Sequence, residues 1–140
     1  MRIVTFIFLL ALSIGCSSSK KTTQQPNPFN GTWVPVKQEF SGSALPASVY
    51  AKQKLIISDS TYTLIAENVD KGVVKSSGNK MDIYGKEGPN AGKHFMAIYK
   101  FENEELTVCY NLAGNGYPES FDTKGKPMFF MSVFKRESTQ

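Results

Sequence analysis

Histidine and tryptophan each occur once in the 140-residue chain, at His94 and Trp33, and cysteine occurs twice, at Cys16 and Cys109. So few ligands exclude the spaced His and Cys pairs that build a zinc site or a paired-thiol redox centre. The chain has no His-x-His, no Cys-x-x-Cys and no His-Glu-x-x-His, so no metal and no other cofactor is expected. A nucleophile with its base is missing too. Cys109 lies in the strand-like "LTVCYN" with no partner spacing to His94, and reads as a small packing residue rather than a reactive thiol. The acids Asp82, Glu87, Glu102, Glu104, Glu105, Glu119 and Asp122 fall mainly in turns or near strand ends and are expected to be solvated rather than opposed for acid–base work. No catalytic residue is assigned, and the protein is not expected to be an enzyme. The net charge of +4, from 16 basic and 12 acidic residues, is too mild and dispersed to argue for nucleic acid.

What is present begins at the N-terminus. Arg2 precedes an apolar run from Ile3 to Ile14, short of the roughly 20 residues that span a bilayer, and residues 1–15 read as a secretory signal. Gly15 stands directly before Cys16 in "LSIGCSSS", which resembles the bacterial lipobox, where a peptidase cuts before a diacylated Cys; Ser13 is more polar than the aliphatic residue usual there. The resemblance implies Cys16 as a lipidated mature N-terminus, several acyl chains giving a stable membrane anchor. The expected location is then the bacterial cell envelope, at the periplasmic side of the outer membrane. With Cys16 acylated, Cys109 is the one thiol left and no intramolecular disulfide can form. Residues 16–28 lack large apolar side chains and read as a flexible tether. Residues 29–140 are enough for one domain with a modest core, expected to be a monomer.

Within that domain, period-two patterning with turn residues between predicts an all-β fold. Strands are expected at 31–40, 53–58, 61–67, 72–77, 80–85, 93–102, 105–111 and 127–135. Turns as tight as 58–60, 77–79 and 103–104 force neighbouring strands antiparallel. The long segment 41–53 carries Pro46 and predicts a short helix over 47–52; with the connection "AGNGYPESFDTKGKP" it is a candidate to shape a pocket mouth. The last strand has Phe129, Met131 and Val133 on one face and Phe130 and Phe134 on the other, too apolar to be a free edge. An eight-stranded antiparallel up-and-down barrel, closed by first strand on last, removes that edge.

The "GTW" of residues 31–33 resembles the Gly-x-Trp that opens the first strand of lipocalin-like barrels. The resemblance implies that Gly31 and Trp33 close one barrel end, with the Trp against a basic residue late in the last strand, here Lys135 or Arg136. "LP" at 45–46, "YT" at 62–63, "DIYGKEGPNAGK" at 82–93, "IY" at 98–99, "LTVCYN" at 106–111 and "YPESF" at 117–121 are similar to the uncharacterised lipocalin-like domain family abundant in planctomycetes. The similarity runs from Gly31 to about Lys135. It departs at Tyr117, where an Arg is usual, so no role of that Arg carries over. The family implies a fold and no activity.

Residues 87–94, "EGPNAGKH", look at first like a phosphate-gripping loop. That loop needs four residues between its glycines and a Ser or Thr after the Lys, and it opens a helix. Here three residues separate Gly88 from Gly92, His94 follows Lys93, and a strand pattern comes next. The segment is expected to be a hairpin turn, with positive φ at its glycines and Lys93 toward solvent or a headgroup. Two binding functions remain. The barrel holds a small apolar or amphipathic ligand, with Tyr62, Tyr99, Tyr110 and Phe121 as candidate lining; or it is filled, and its loops bind another envelope protein. A cavity of several hundred cubic ångströms separates the two.

Overall fold

The computed structural model describes residues 26–138. The signal-like segment, Cys16 and the tether as far as residue 25 lie outside the described residues. The first strand, β1 (Gly31–Phe40), carries Pro35, which has no N–H to give to a neighbour. The strand accommodates it at a bulge: pairing with the last strand passes from Pro35 opposite Phe134 to Lys37 opposite Val133, leaving Val36 over.

β2 (Ser43–Ala44) folds back on the end of β1 and is followed by the one-turn helix α1 (Ala47–Tyr50). Six strands then run as a meander: β3 (Lys54–Ser58), β4 (Thr61–Ile65), β5 (Val69–Ser77), β6 (Lys80–Glu87), β7 (His94–Glu102) and β8 (Glu105–Asn111). The last strand is β9 (Phe129–Arg136). Each is antiparallel to the next, and β9 pairs with β1 from Trp33–Arg136 to Phe40–Phe130. The molecule is therefore an eight-stranded up-and-down barrel of β1 and β3 to β9, with β2 as a small appendage. All eight staves and the closing pairing lie between Gly31 and Arg136, so the chain from Ser17 onward holds the whole folding unit. Closure removes the edge that the apolar β9 would otherwise expose.

Several element bounds differ from the sequence expectation by two or three residues, β4, β6 and β9 among them. The helix ends at Tyr50 rather than at residue 52. The two-residue β2 is below what periodicity can detect. β5 begins at Val69, three residues before the expected Gly72, because Asp70 and Lys71 pair with Leu64 and Thr63 despite their turn-like composition.

Alternation lines the interior with apolar side chains. Trp33, Ala97 and Leu106 are fully buried, with Leu55, Ile57, Val74, Met81, Ile83, Val108 and Phe134 in the same cluster. The outer wall of β8 and β9 is covered as well, by the connection 112–128. Cys109, Asn111 and Met131 are buried there, and Thr123 of the connection is fully buried with its hydroxyl on Glu39 and the Gly42 N–H on that hydroxyl. Asn111 ties the connection down, donating from Nδ2 to Asn115 Oδ1 at 2.8 Å and the Gly116 carbonyl at 2.9 Å.

Candidate functional site

One barrel end is shut. Trp33 donates its indole N–H to the Phe29 carbonyl at 2.8 Å, with the Phe101 ring edge-on at 5.8 Å. The Arg136 guanidinium lies 4.3 Å from the Trp33 ring and donates to the carbonyls of Pro28 and Asn30. The plug thus combines a buried aromatic with a cation on its face. Of the two expected basic partners Arg136 is the one used, while Lys135 pairs with Glu105 at 3.5 Å. Gly31 has a φ of +133°, and a Cβ there would come within 2.8 Å of the Arg136 guanidinium.

Above the plug the barrel is hollow. A cavity of about 650 Å³ runs between Leu55, Ile57, Val74, Met81, Ile83 and Phe134 toward a rim formed by Gln53, Asn90, Lys93, Leu112 and Met128. Its wall is mostly apolar, with a few convergent polar groups, which is how small-molecule sites are built. Tyr62 and Tyr110, two of the four expected aromatics, line it. Tyr110 packs against Phe130 with ring centres 5.7 Å apart, and burial pushes its phenol well above the ordinary tyrosine range.

The other two stand elsewhere. Tyr99 belongs to the closed end, edge-on to Phe29 at 4.8 Å, with its hydroxyl donating to the Gly78 carbonyl at 2.6 Å. Phe121 lies on the outer wall, its ring under the Lys100 ammonium at 5.3 Å. Phe121 sits in the long connection, where strand parity says nothing about inside or outside, and that is why the sequence did not separate it from the lining.

Asp70, absent from the sequence reading, is the most unusual group in the wall. It is 3% exposed and lines the cavity. Its Oδ2 accepts the Tyr62 hydroxyl at 2.8 Å and its Oδ1 the Asn90 N–H at 2.9 Å. Burial first, and then the Asp70 hydrogen bond and charge, raise the Tyr62 phenol far above its ordinary value, so Tyr62 stays a neutral donor. The signal for Asp70 was there: it shares parity with Gly72 and Val74 on β5, hence the inner face. Composition hid it by making 68–72 look like a turn.

Glycines bring these groups together. Gly72 pairs with Tyr62, and a Cβ on it would fall 2.7 Å from the Tyr62 ring and 2.0 Å from the Tyr84 carbonyl oxygen. Gly85 lies under the 87–93 turn, where a Cβ would fall 1.8 Å from the Asn90 carbonyl oxygen. The turn folds back through bonds from Gly85 N to Lys93 O at 2.9 Å and from Gly92 N to Gly85 O at 3.0 Å. "EGPNAGK" is therefore the β6–β7 hairpin connection, with φ of +86° at Gly88 and +79° at Gly92, and Lys93 is an exposed rim residue.

Outside the barrel, Asp82 departs from the solvated state expected of it. It takes His94 Nε2 at 2.7 Å on one oxygen and the Tyr117 hydroxyl at 2.7 Å on the other, while the His94 ring stacks on Tyr84 at 4.3 Å. Desolvation pushes the Asp82 carboxyl up, and the Tyr117 and His94 bonds outweigh it, leaving a net depression. The Tyr117 phenol is raised by the same bond. This group pins the long connection to β6. Cys109 is fully buried, and burial pushes its thiol up to about 11, the opposite of what a thiolate nucleophile needs.

Comparison of the chain with protein-family models, with curated proteins and with solved structures found no match.

Proposed function

We propose that this protein is a non-catalytic container, a lipocalin-like barrel that binds one small apolar or amphipathic molecule. The cavity carries the proposal: about 650 Å³ of space behind an apolar wall is the size and chemistry of a site for a single small ligand. The plugged end gives it a floor, and the rim at Gln53, Asn90 and Lys93 gives it a polar entrance. The closed topology and the Gly31–Trp33–Arg136 plug agree with the lipocalin-like resemblance of the sequence. The alternative, a filled barrel whose loops bind an envelope protein, expects a solid core, and the cavity weighs against it.

The lipobox-like "LSIGC" supports an anchored form acylated at Cys16, on the periplasmic side of the outer membrane. Metabolic labelling with an alkynyl fatty acid should mark the wild type and leave Cys16→Ser unlabelled; equal labelling removes the anchor from the proposal. The container reading is tested by native mass spectrometry of the chain from Ser17 onward after incubation with a bacterial lipid extract. One retained small molecule per chain is expected. A spectrum of bare protein alone under conditions that keep the barrel folded would refute it.

A further inference from the structure

The polar groups of the cavity are not spread evenly, and Asp70 is the carboxylate among its lining residues. A buried carboxylate is costly unless its oxygens are satisfied. Here each oxygen has one donor, Tyr62 Oη on one and the Asn90 N–H on the other, which leaves lone pairs for a further donor. Neither partner carries a charge. Among the described residues, no Lys, Arg or His lies at ion-pairing distance from Asp70. Lys93, the cation on the rim, contacts Asn90 Oδ1 instead, at 3.4 Å. Three glycines hold the arrangement: Gly72 clears the Tyr62 ring, Gly85 admits Asn90, and Gly88 lets the turn approach the Asp70 backbone to 2.9 Å of a Cβ position. A negative pole is thus fixed in a wall that is otherwise largely apolar.

We infer that the ligand is an amphiphile with a protonated amine head, which docks its ammonium on Asp70 while its apolar body fills the cavity toward the plugged end. This rests on the container reading and names the chemical class that reading leaves open. An ammonium supplies the missing charge and up to three N–H donors. A hydroxyl supplies one donor and no charge. A carboxylate head would meet Asp70 as a like charge with little water to screen it.

The test uses the chain from Ser17 onward with Nile red, a neutral apolar dye, as reporter in the cavity. Dodecylamine, dodecanol and dodecanoate, matched in tail, compete for it at neutral pH below their aggregation concentrations. Dodecylamine should displace the dye best, by about tenfold over dodecanol and more over dodecanoate. Asp70→Asn keeps the shape and an oxygen for one donor; it should cut dodecylamine affinity about tenfold and leave dodecanol within about threefold. Tyr62→Phe, which leaves the charge in place, should keep the order of the three and supplies a second comparison if Asp70→Asn does not fold. Equal displacement by the three amphiphiles in the wild type, or an unchanged amine preference in folded Asp70→Asn, overturns the amine assignment and leaves the container reading standing. Absence of saturable binding of dye and amphiphiles alike overturns both.

Discussion

Trp33 carries the plug because it combines full burial, a satisfied indole N–H and the Arg136 cation on its face. Truncating a buried Trp costs about 3–5 kcal/mol, and Trp33→Ala should lower the urea midpoint by that equivalent or leave the chain unfolded. Arg136→Ala should cost less, since the charge it removes is at the surface. A Trp33→Ala variant within about 1 kcal/mol of wild type would show that the end is not held by this residue. Asp82 makes a pH-dependent contribution. Its folded pKa is depressed, so its stabilisation is complete above the ordinary aspartate range and is lost as the pH falls through that range and below. Urea midpoints at about pH 6 and about pH 3 should therefore fall further in wild type than in Asp82→Asn, and equal falls would remove the Asp82–Tyr117–His94 group from the stability of the fold. The sequence announced Trp33 through its Gly-x-Trp setting. Asp82 looked like any exposed acid, because Tyr117 is 35 residues away and local pattern says nothing about such a pairing.

At the scale of elements, the hairpins were legible because their turns carry their own chemistry. Gly78 at +61° and Asn103 with Glu104 at +51° and +63° supply the positive φ that two-residue hairpin turns require. The 87–93 connection was legible as a turn for the same reason. Its second role, folding back to place Asn90 on Asp70, was not, because it depends on space that only Gly72 and Gly85 leave. Gly88 and Gly92 should respond differently to substitution. Both have positive φ, but a Cβ on Gly88 would fall 2.3 Å from the Val69 carbonyl oxygen, whereas Gly92 has open space around it. Gly92→Val should cost about 1–2 kcal/mol through backbone strain alone, and Gly88→Val clearly more. Lys93→Ala should stay within the roughly ±0.5 kcal/mol usual at a surface. Thermal melts of the three variants check the order; a Gly88→Val as mild as Gly92→Val would contradict the close approach. The long connection 112–128 was the least legible element. Its Gly, Pro and Asn content marks a loop, yet nothing local says that it lies along the outer wall and carries Phe121 away from the cavity.

For the whole molecule, closure followed from an apolar last strand that cannot remain an edge, and the β1–β9 pairing bears this out. Whether the closed barrel would be solid or hollow was not legible, since inward Tyr, Phe and Met can either meet at the axis or stand apart around a ligand. In this barrel they stand apart, with Tyr62, Met81, Phe95, Tyr110 and Phe134 around the cavity. The most direct measurement is a Nile red titration of the chain from Ser17 onward beside Ile83→Trp, which places a large side chain into the cavity from mid-wall. The wild type should bind one dye saturably with a blue-shifted emission, and Ile83→Trp should remain folded and bind at least about tenfold more weakly. No saturable binding by folded wild type, or equal binding by Ile83→Trp, would contradict the open barrel as a ligand site.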